Sequence, residues 1–516
     1  MSAPLTRREF VVAGAAGAIA LPGALYGTGC STVTAEKPEM PRPAPEGGHP
    51  WSAGFAAAQS ENDYWVEEVE GTVPPGLSGT LLRNGPARND LAGHWFPHWF
   101  DGDGMISAIT FREGRIHFRN RYVRTRNYVD ETAAGRVLYR GFGKMRAGGV
   151  IANALRAPQN VANTSVVYHH RKLLALWEGG APTELSPADL GTVGLADFGG
   201  RVGTFSAHPK IDPRSGELFN FGIDYGRVSV LRPYRIDPAG ALDAYPAIDL
   251  PYPVMNHDFV ITDRFMVFCI GPIRLHLYRM ILGFDSYDGA LAWDGSQPTR
   301  ILIVRRDRGA APVWIETAPF FQFHFANAYE DEGLILVDVA RYPDYGAIGD
   351  ALRNFWRTDW PSEGMSTFTR LAIDPGSGKV ESRDIDVGDK VEFPRMSPRR
   401  VGSHYRYAYV VTSPKRASGL QQLVTKIDLE TGKSHAHDFS PDGYVGEPVF
   451  IPAPEGRAED EGYLVTLVFD SSTRRTKVVI LDARDVAAKP LAVVQLRHHV
   501  PFGFHGCFTE QVFLRA

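Results

Sequence analysis

Asp374-Pro375-Gly376-Ser377-Gly378 decides the class of fold, because the device returns as Asp212-Pro213-Arg214-Ser215-Gly216 and as Asp428-Leu429-Glu430-Thr431-Gly432. An Asp side chain starts each turn by bonding the backbone ahead of it, and the closing Gly supplies the positive φ that sends the chain back antiparallel. Outward from these turns the chain is a succession of short runs, such as Arg115-Ile116-His117-Phe118, Leu173-Leu174-Ala175-Leu176-Trp177, Leu334-Ile335-Leu336-Val337 and Val478-Val479-Ile480-Leu481. They are too short and too rich in β-branched residues for helices. Such turns suit the four-stranded meanders of a propeller, where radial repetition shields strand edges. The turns are irregularly spaced and no crisp repeat appears, so a propeller, a sandwich and an irregular barrel stay open on periodicity alone.

The chain has 516 residues, 44% of them apolar, with Gly 53 and Pro 37, a composition of many turns around a large core. Its net charge of −4, with acids and bases interspersed, gives no reason to expect a nucleic-acid partner. Three cysteines, Cys30, Cys269 and Cys507, cannot make a disulfide framework, and no C-x-x-C pair offers a zinc or iron–sulfur site.

Residues 1–35 read as an export signal of the twin-arginine type. Thr6-Arg7-Arg8-Glu9-Phe10 is followed by an uncharged, Ala- and Gly-rich stretch to Ala35, and Val33-Thr34-Ala35 offers small residues for cleavage. A lipoprotein reading through Cys30 is weaker, because Leu25 stands too early. That route carries folded proteins, so a metal could be loaded before export to the periplasm or to a membrane-associated state. Residues 36–50 read as a linker, and residues 51–516 as one β-domain. Two helical candidates interrupt the strands, Lys144 to Gln159 and Arg274 to Leu282. Each could cap one end of the domain, present an apolar face to a lipid surface for peripheral contact, or run as a solvent-facing connection.

Four histidines sit at the ends of apolar, strand-like segments: His208 in S-A-H-P, His257 in M-N-H-D-F, His324 in F-Q-F-H-F and His505 in F-G-F-H-G. Three glutamates share that setting: Glu178 in L-W-E-G-G, Glu392 in V-E-F-P-R and Glu447 in V-G-E-P-V. Four neutral imidazoles hold a first-row metal without cancelling its charge, and carboxylates behind them accept the second ring N–H and fix the tautomer. The histidines are separated by 49, 67 and 181 residues, so they form no local clip and meet only if the fold brings distant strand ends to one axis. Among 16 histidines most are structural, and His117, His169, His170, His404, His435 and His437 are read that way.

These neighbourhoods resemble those of the carotenoid cleavage oxygenase family from about residue 62 to the carboxyl end. Gly79-Thr80-Leu81-Leu82-Arg83-Asn84-Gly85-Pro86, His98-Trp99-Phe100-Asp101-Gly102-Asp103-Gly104-Met105 and Asn120-Arg121-Tyr122-Val123-Arg124-Thr125 follow in the family's order. The resemblance implies an all-β, seven-bladed propeller with a cap of loops and short helices over an iron site. It implies Fe(2+) on His208, His257, His324 and His505, with Glu178, Glu392 and Glu447 acting through the imidazoles. Phe100, Trp177, Phe323 and Phe504 stand beside motif residues, and either line a substrate tunnel or pack the core.

The activity it implies is a dioxygenase that splits a conjugated C=C of a carotenoid or apocarotenoid into two carbonyl products, with dioxygen as partner and no organic cofactor. The alternative is a stilbene- or phenylpropenoid-cleaving relative, and a second is a propeller that binds such a ligand without turning it over. Stilbene cleavers place a lysine directly before the first of the three glutamates. Here Trp177 stands there, which suits a polyene better. Glu447→Gln is expected to keep the fold and lose iron. Asp101-Gly102-Asp103-Gly104 begins like a calcium loop, but Arg112 occupies the twelfth position where a bidentate Glu belongs. Gly141-Phe142-Gly143 lacks the third glycine of a dinucleotide loop, since Arg146 stands there.

Overall fold

The computed structural model of the protein describes residues 48–156, 158–353 and 355–514, so the leader and nearly all of the linker lie outside the described residues. The strands form seven radial sheets with antiparallel neighbours, plus two small two-stranded ribbons. Blades 2 to 6 follow the chain as meanders starting at Ser165, Lys210, Val260, Phe321 and Asp389.

The ring closes through both ends of the chain. In blade 1 the carboxyl-terminal strand Gly506–Thr509 pairs with Gly79–Arg88, with Thr80 opposite Thr509. In blade 7 the amino-terminal strand Val69–Gly71 pairs with Ala492–Gln495. Each seam between blades has its own apolar core. Leu81 and Ile109 of blade 1 meet Val465 and Val478 of blade 7. Phe221 of blade 3 meets Phe268 of blade 4, and Val267 of blade 4 meets Val337 of blade 5. This accounts for the near-continuous burial of second and third strands: both faces of each sheet are covered.

The quoted turns behave as their residues require. Gly216, Gly378 and Gly432 close hairpins at φ of 71, 74 and 69°, where a Cβ would be strained. Asp374 Oδ1 accepts from the Gly376 amide at 2.8 Å.

The cap is built from short helices and loops. The two helical candidates shrink to single short turns, Gly149–Asn153 and Leu277–Ile281. They are joined by the Leu155 amide donating to the Ile281 carbonyl at 2.8 Å. The buried Arg140 guanidinium holds them from beneath, donating to the carbonyls of Asn153 at 3.0 Å, Met280 at 2.7 Å and Asp285 at 2.6 Å. Asp101, of the calcium-like segment, is buried and accepts from the Gly143 amide at 3.1 Å, which anchors the same cap loop. An aromatic cluster including Trp99, Phe321, Phe323, Phe355, Trp360 and Phe504 fills the space between cap and propeller.

Candidate metal centre

Each blade delivers one of the seven side chains singled out in the sequence to the propeller axis. His505 enters with the closing strand of blade 1, and Glu178 follows the second strand of blade 2. His208 and His257 directly precede the first strands of blades 3 and 4. His324 lies on the first strand of blade 5 and Glu392 on that of blade 6, while Glu447 fills the gap between the two inner strands of blade 7.

All four imidazoles are buried and their Nε2 atoms converge. His208 to His257 is 2.8 Å, His257 to His324 is 3.3 Å and His324 to His505 is 3.0 Å, and one nitrogen from each lies within 4.8 Å of all the others. Nitrogens about 2.1 Å from a single first-row ion stand about 3.0 Å apart when they are octahedral neighbours. The observed spacing fits that geometry.

Behind the ring, three Nδ1 atoms donate to carboxylates: His257 to Glu178, His324 to Glu392, and His505 to Glu447 at 2.8 Å. With those protons on Nδ1, the corresponding Nε2 atoms carry lone pairs aimed at a common point. Such lone pairs repel one another with nothing between them, and a cation relieves this. The donor set therefore fits a divalent metal.

His208 has no glutamate. Its Nδ1 lies 3.9 Å from Asp258 Oδ1, beyond hydrogen-bond reach. Asp258 instead accepts from Lys210 Nζ at 2.8 Å, the Phe259 amide at 2.7 Å and the Phe325 amide at 3.0 Å, pinning the strands that carry three of the four imidazoles. Burial and the neighbouring imidazoles hold His208 well below the ordinary histidine range. Burial does the same to His505 against the pull of Glu447, so both are neutral, as ligands must be.

The three glutamates differ in setting. Glu447 is nearly fully buried and also accepts from Arg83 Nη1 at 2.5 Å, Arg395 Nη2 at 2.7 Å and the Gly506 amide at 2.9 Å. Burial alone would raise its pKa, but Arg395 and Arg83 overcome that and hold it below the ordinary carboxylate range. Glu392 accepts from Tyr342 Oη and the Phe393 amide as well as from His324. Glu178 is 30% exposed and touches the cavity. Arg83, Arg395, Tyr342 and Asp258 are positioning residues that motif reading passed over. Three of them stand inside or beside quoted motifs: Arg83 before Asn84-Gly85-Pro86, Arg395 after Glu392-Phe393-Pro394, and Asp258 next to His257.

His257, His324 and His505 open onto a cavity of about 260 Å³. Phe100, Trp177, Phe323 and Phe504 all line it, and Phe323 and Phe504 belong to the aromatic cluster under the cap as well. Tyr225 and Met255, from the blade 3 and 4 side, line it together with Leu420 and Val445, from the blade 6 and 7 side, so it spans the axis across the metal site. Met280, on the Leu277–Ile281 cap helix, also reaches it.

This combination defines a propeller with a buried four-histidine cluster fit to hold a metal beside a mainly apolar cavity. The family described as Retinal pigment epithelial membrane protein matches residues 55–510, and the chain belongs to it, within the carotenoid cleavage oxygenases. The apocarotenoid-15,15'-oxygenase of Synechocystis sp. is 37% identical, over 89% of this chain and 96% of the relative. The resveratrol cleavage oxygenase 1 of Aspergillus fumigatus is 30% identical, over 89% of this chain and 95% of the relative. The crystal structure of cobalt-substituted Synechocystis ACO superposes with a TM-score of 0.84 at 36% identity, covering 89% of this chain and 98% of that one.

Proposed function

We propose that the protein is a non-haem Fe(II) dioxygenase that cleaves a conjugated C=C bond of an apocarotenoid or carotenoid into two carbonyl fragments. The observation that carries the proposal is the convergence of four Nε2 atoms at the wall of a long apolar cavity. His208, His257, His324 and His505 would hold the iron. The chemistry a bound ferrous ion supplies is the binding and activation of dioxygen, and with both oxygen atoms delivered to product no external reductant enters the balance.

The chain's own residues do the rest. Glu178, Glu392 and Glu447 hold the imidazole tautomers, and each carboxylate keeps the ring in front of it a basic donor. Phe100, Phe323, Phe504 and Trp177 line the cavity and would exclude water from an extended π-system held beside the four histidines. Trp177 is apolar where a stilbene-binding lysine would stand, which supports a polyene over a phenolic stilbene. The identity to the apocarotenoid oxygenase supports the same choice.

Substrate entry is proposed on the cap side. Val150, Ile151, Leu155, Tyr278, Leu282 and Phe284 are exposed together there, and Met280 of the same segment lines the cavity. An apolar patch at a tunnel mouth suits a lipid surface holding a lipid-soluble substrate. Export by the twin-arginine route remains a proposal from the leader's sequence, tested by fractionating cells that express the full chain.

The deciding experiment incubates iron-loaded protein aerobically with an apocarotenal and, separately, with a resveratrol-like stilbene. Chain-shortened aldehydes from the apocarotenal support the reading. Aldehydes from the stilbene alone transfer the protein to the phenylpropenoid branch, and iron bound with neither product leaves a ligand-binding propeller.

A further inference from the structure

On the blade 3 and 4 side, beside Thr204, Ser206 and Asn256, the cavity wall carries a pair of tyrosines whose hydroxyls meet. Tyr225 Oη and Tyr287 Oη stand 2.8 Å apart, and both residues line the cavity. Tyr225 Oη also lies 2.8 Å from the carbonyl oxygen of Val254, a fully buried residue.

These two distances fix which way the hydrogens point. A phenol has one hydrogen. The Val254 carbonyl needs a donor, because leaving a buried carbonyl unpaired is costly. Tyr225 therefore donates to Val254, and the Tyr225–Tyr287 bond is donated by Tyr287. Its hydrogen is then spent, and the Tyr287 oxygen offers only lone pairs to the cavity. An acceptor of that kind pairs with an O–H and repels a carbonyl oxygen. Glu178 adds negative potential at both tyrosines, which favours a donor further.

Aromatic contacts link the pair to the histidine cluster. The Tyr287 ring packs on Phe142 at 4.9 Å, Phe142 on Phe100 at 5.1 Å, Phe100 on Phe323 at 6.1 Å, and Phe323 on His257 at 5.2 Å. The wall between the histidines and Tyr287 is thus apolar along these rings, with a polar group at Tyr287.

We propose that Tyr225 and Tyr287 form a subsite that reads a hydroxyl at the end of the substrate, selecting an alcohol or phenol over the corresponding aldehyde or ether. This rests on the oxygenase reading above and names the polar end of its substrate. Tyr225 is the positioning residue: its bond to Val254 turns Tyr287 into an acceptor. Tyr287 makes the contact.

The test uses iron-loaded full-length protein, a matched apocarotenol and apocarotenal of one chain length, and a hydroxystilbene with its methyl ether. For the wild type the alcohol has the lower KM. In Tyr287→Phe the ratio of KM for alcohol to KM for aldehyde rises about 5- to 10-fold, as expected for one neutral hydrogen bond. In Tyr225→Phe the Tyr287 hydrogen is released toward the cavity, and the preference shifts toward the aldehyde.

A response confined to the polyene pair identifies the hydroxyl as that of an apocarotenoid alcohol, and one confined to the stilbene pair identifies a phenol. Ratios that stay the same in both variants overturn the subsite. Should the iron-loaded protein cleave none of the four compounds, the oxygenase reading falls by itself. The subsite is then read by quenching of the protein's tryptophan fluorescence, with Trp99, Trp177 and Trp360 lining the cavity: it stands if the alcohol binds more tightly than the aldehyde and Tyr287→Phe abolishes the difference. It falls if the two bind alike.

Discussion

Replacing Glu447 by Gln separates a residue that tunes the metal from one that also holds the propeller together. In the sequence this change reads as costing iron alone; the structure corrects that. The Glu447 side chain is 2% exposed and sits between Arg83, itself 6% exposed, and Arg395. Gln keeps the shape and an acceptor for His505, but it leaves Arg83 buried without its counter-charge, with only the Phe504 carbonyl at 3.0 Å remaining. Breaking a buried ion pair by removing one partner costs about 3–5 kcal/mol. Glu178 bears no such load: it is 30% exposed and accepts from His257. Both substitutions weaken iron binding by about 10–100-fold through the imidazole they face. The expected outcome in urea denaturation of the metal-free proteins is a marked fall in midpoint for Glu447→Gln and little change for Glu178→Gln. Iron titration then shows both variants impaired. Equal midpoints for the two would refute the assignment of Arg83–Glu447–Arg395 as a structural clasp of blades 1, 6 and 7.

Three further outcomes follow from other parts of the molecule. Burial pushes the Asp101 carboxyl up to about 7, against Lys144 and the amides of the cap loop. Its folded pKa thus exceeds the unfolded value of about 3.9, so the folded state binds more protons and loses stability as pH rises through that window; thermal melts from pH 5 to 8 show this decline, and Asp101→Asn flattens it. Arg140→Met removes the donor shared by four cap carbonyls, and hydrogen exchange quickens in peptides covering 146–156 and 277–285 while the blades keep their protection. Ile151 is 93% exposed on the cap helix Gly149–Asn153, and Ile151→Ser lowers vesicle partitioning about 10- to 100-fold if its side chain enters the lipid, since burying an Ile contributes about 1.5–3 kcal/mol; flotation with liposomes reads the change.

Much of the site was legible because a charged or ligating residue that interrupts an apolar run stands out in the sequence, even where, as for His324 in Phe321–Asp331 and Glu392 in Asp389–Arg395, it lies within a strand rather than at its end. His324 inside Phe321–Phe325 and Glu392 before Phe393-Pro394 are visible for that reason. The pairing of imidazole with carboxylate was not. Glu178 of blade 2 reaches past blade 3 to His257 of blade 4, and nothing local encodes that. Ring closure was equally silent, since Gly506–Thr509 and Gly79–Arg88 are a short strand and a longer one with no shared signal. The cap helices failed to extend because glycines at 148 and 149 and a left-handed Leu155 bracket the first, and Gly283 the second. Tyr225 and Tyr287 look like ordinary strand and loop aromatics until their hydroxyls are seen to meet.

The most direct test is iron K-edge absorption on the reconstituted protein, with metal content measured on the same sample. One iron per chain, with four imidazole nitrogens at about 2.1 Å and one fewer in His208→Ala, is the expected result. Iron well below one per chain, or a shell with two or fewer imidazoles, would contradict the four-histidine centre.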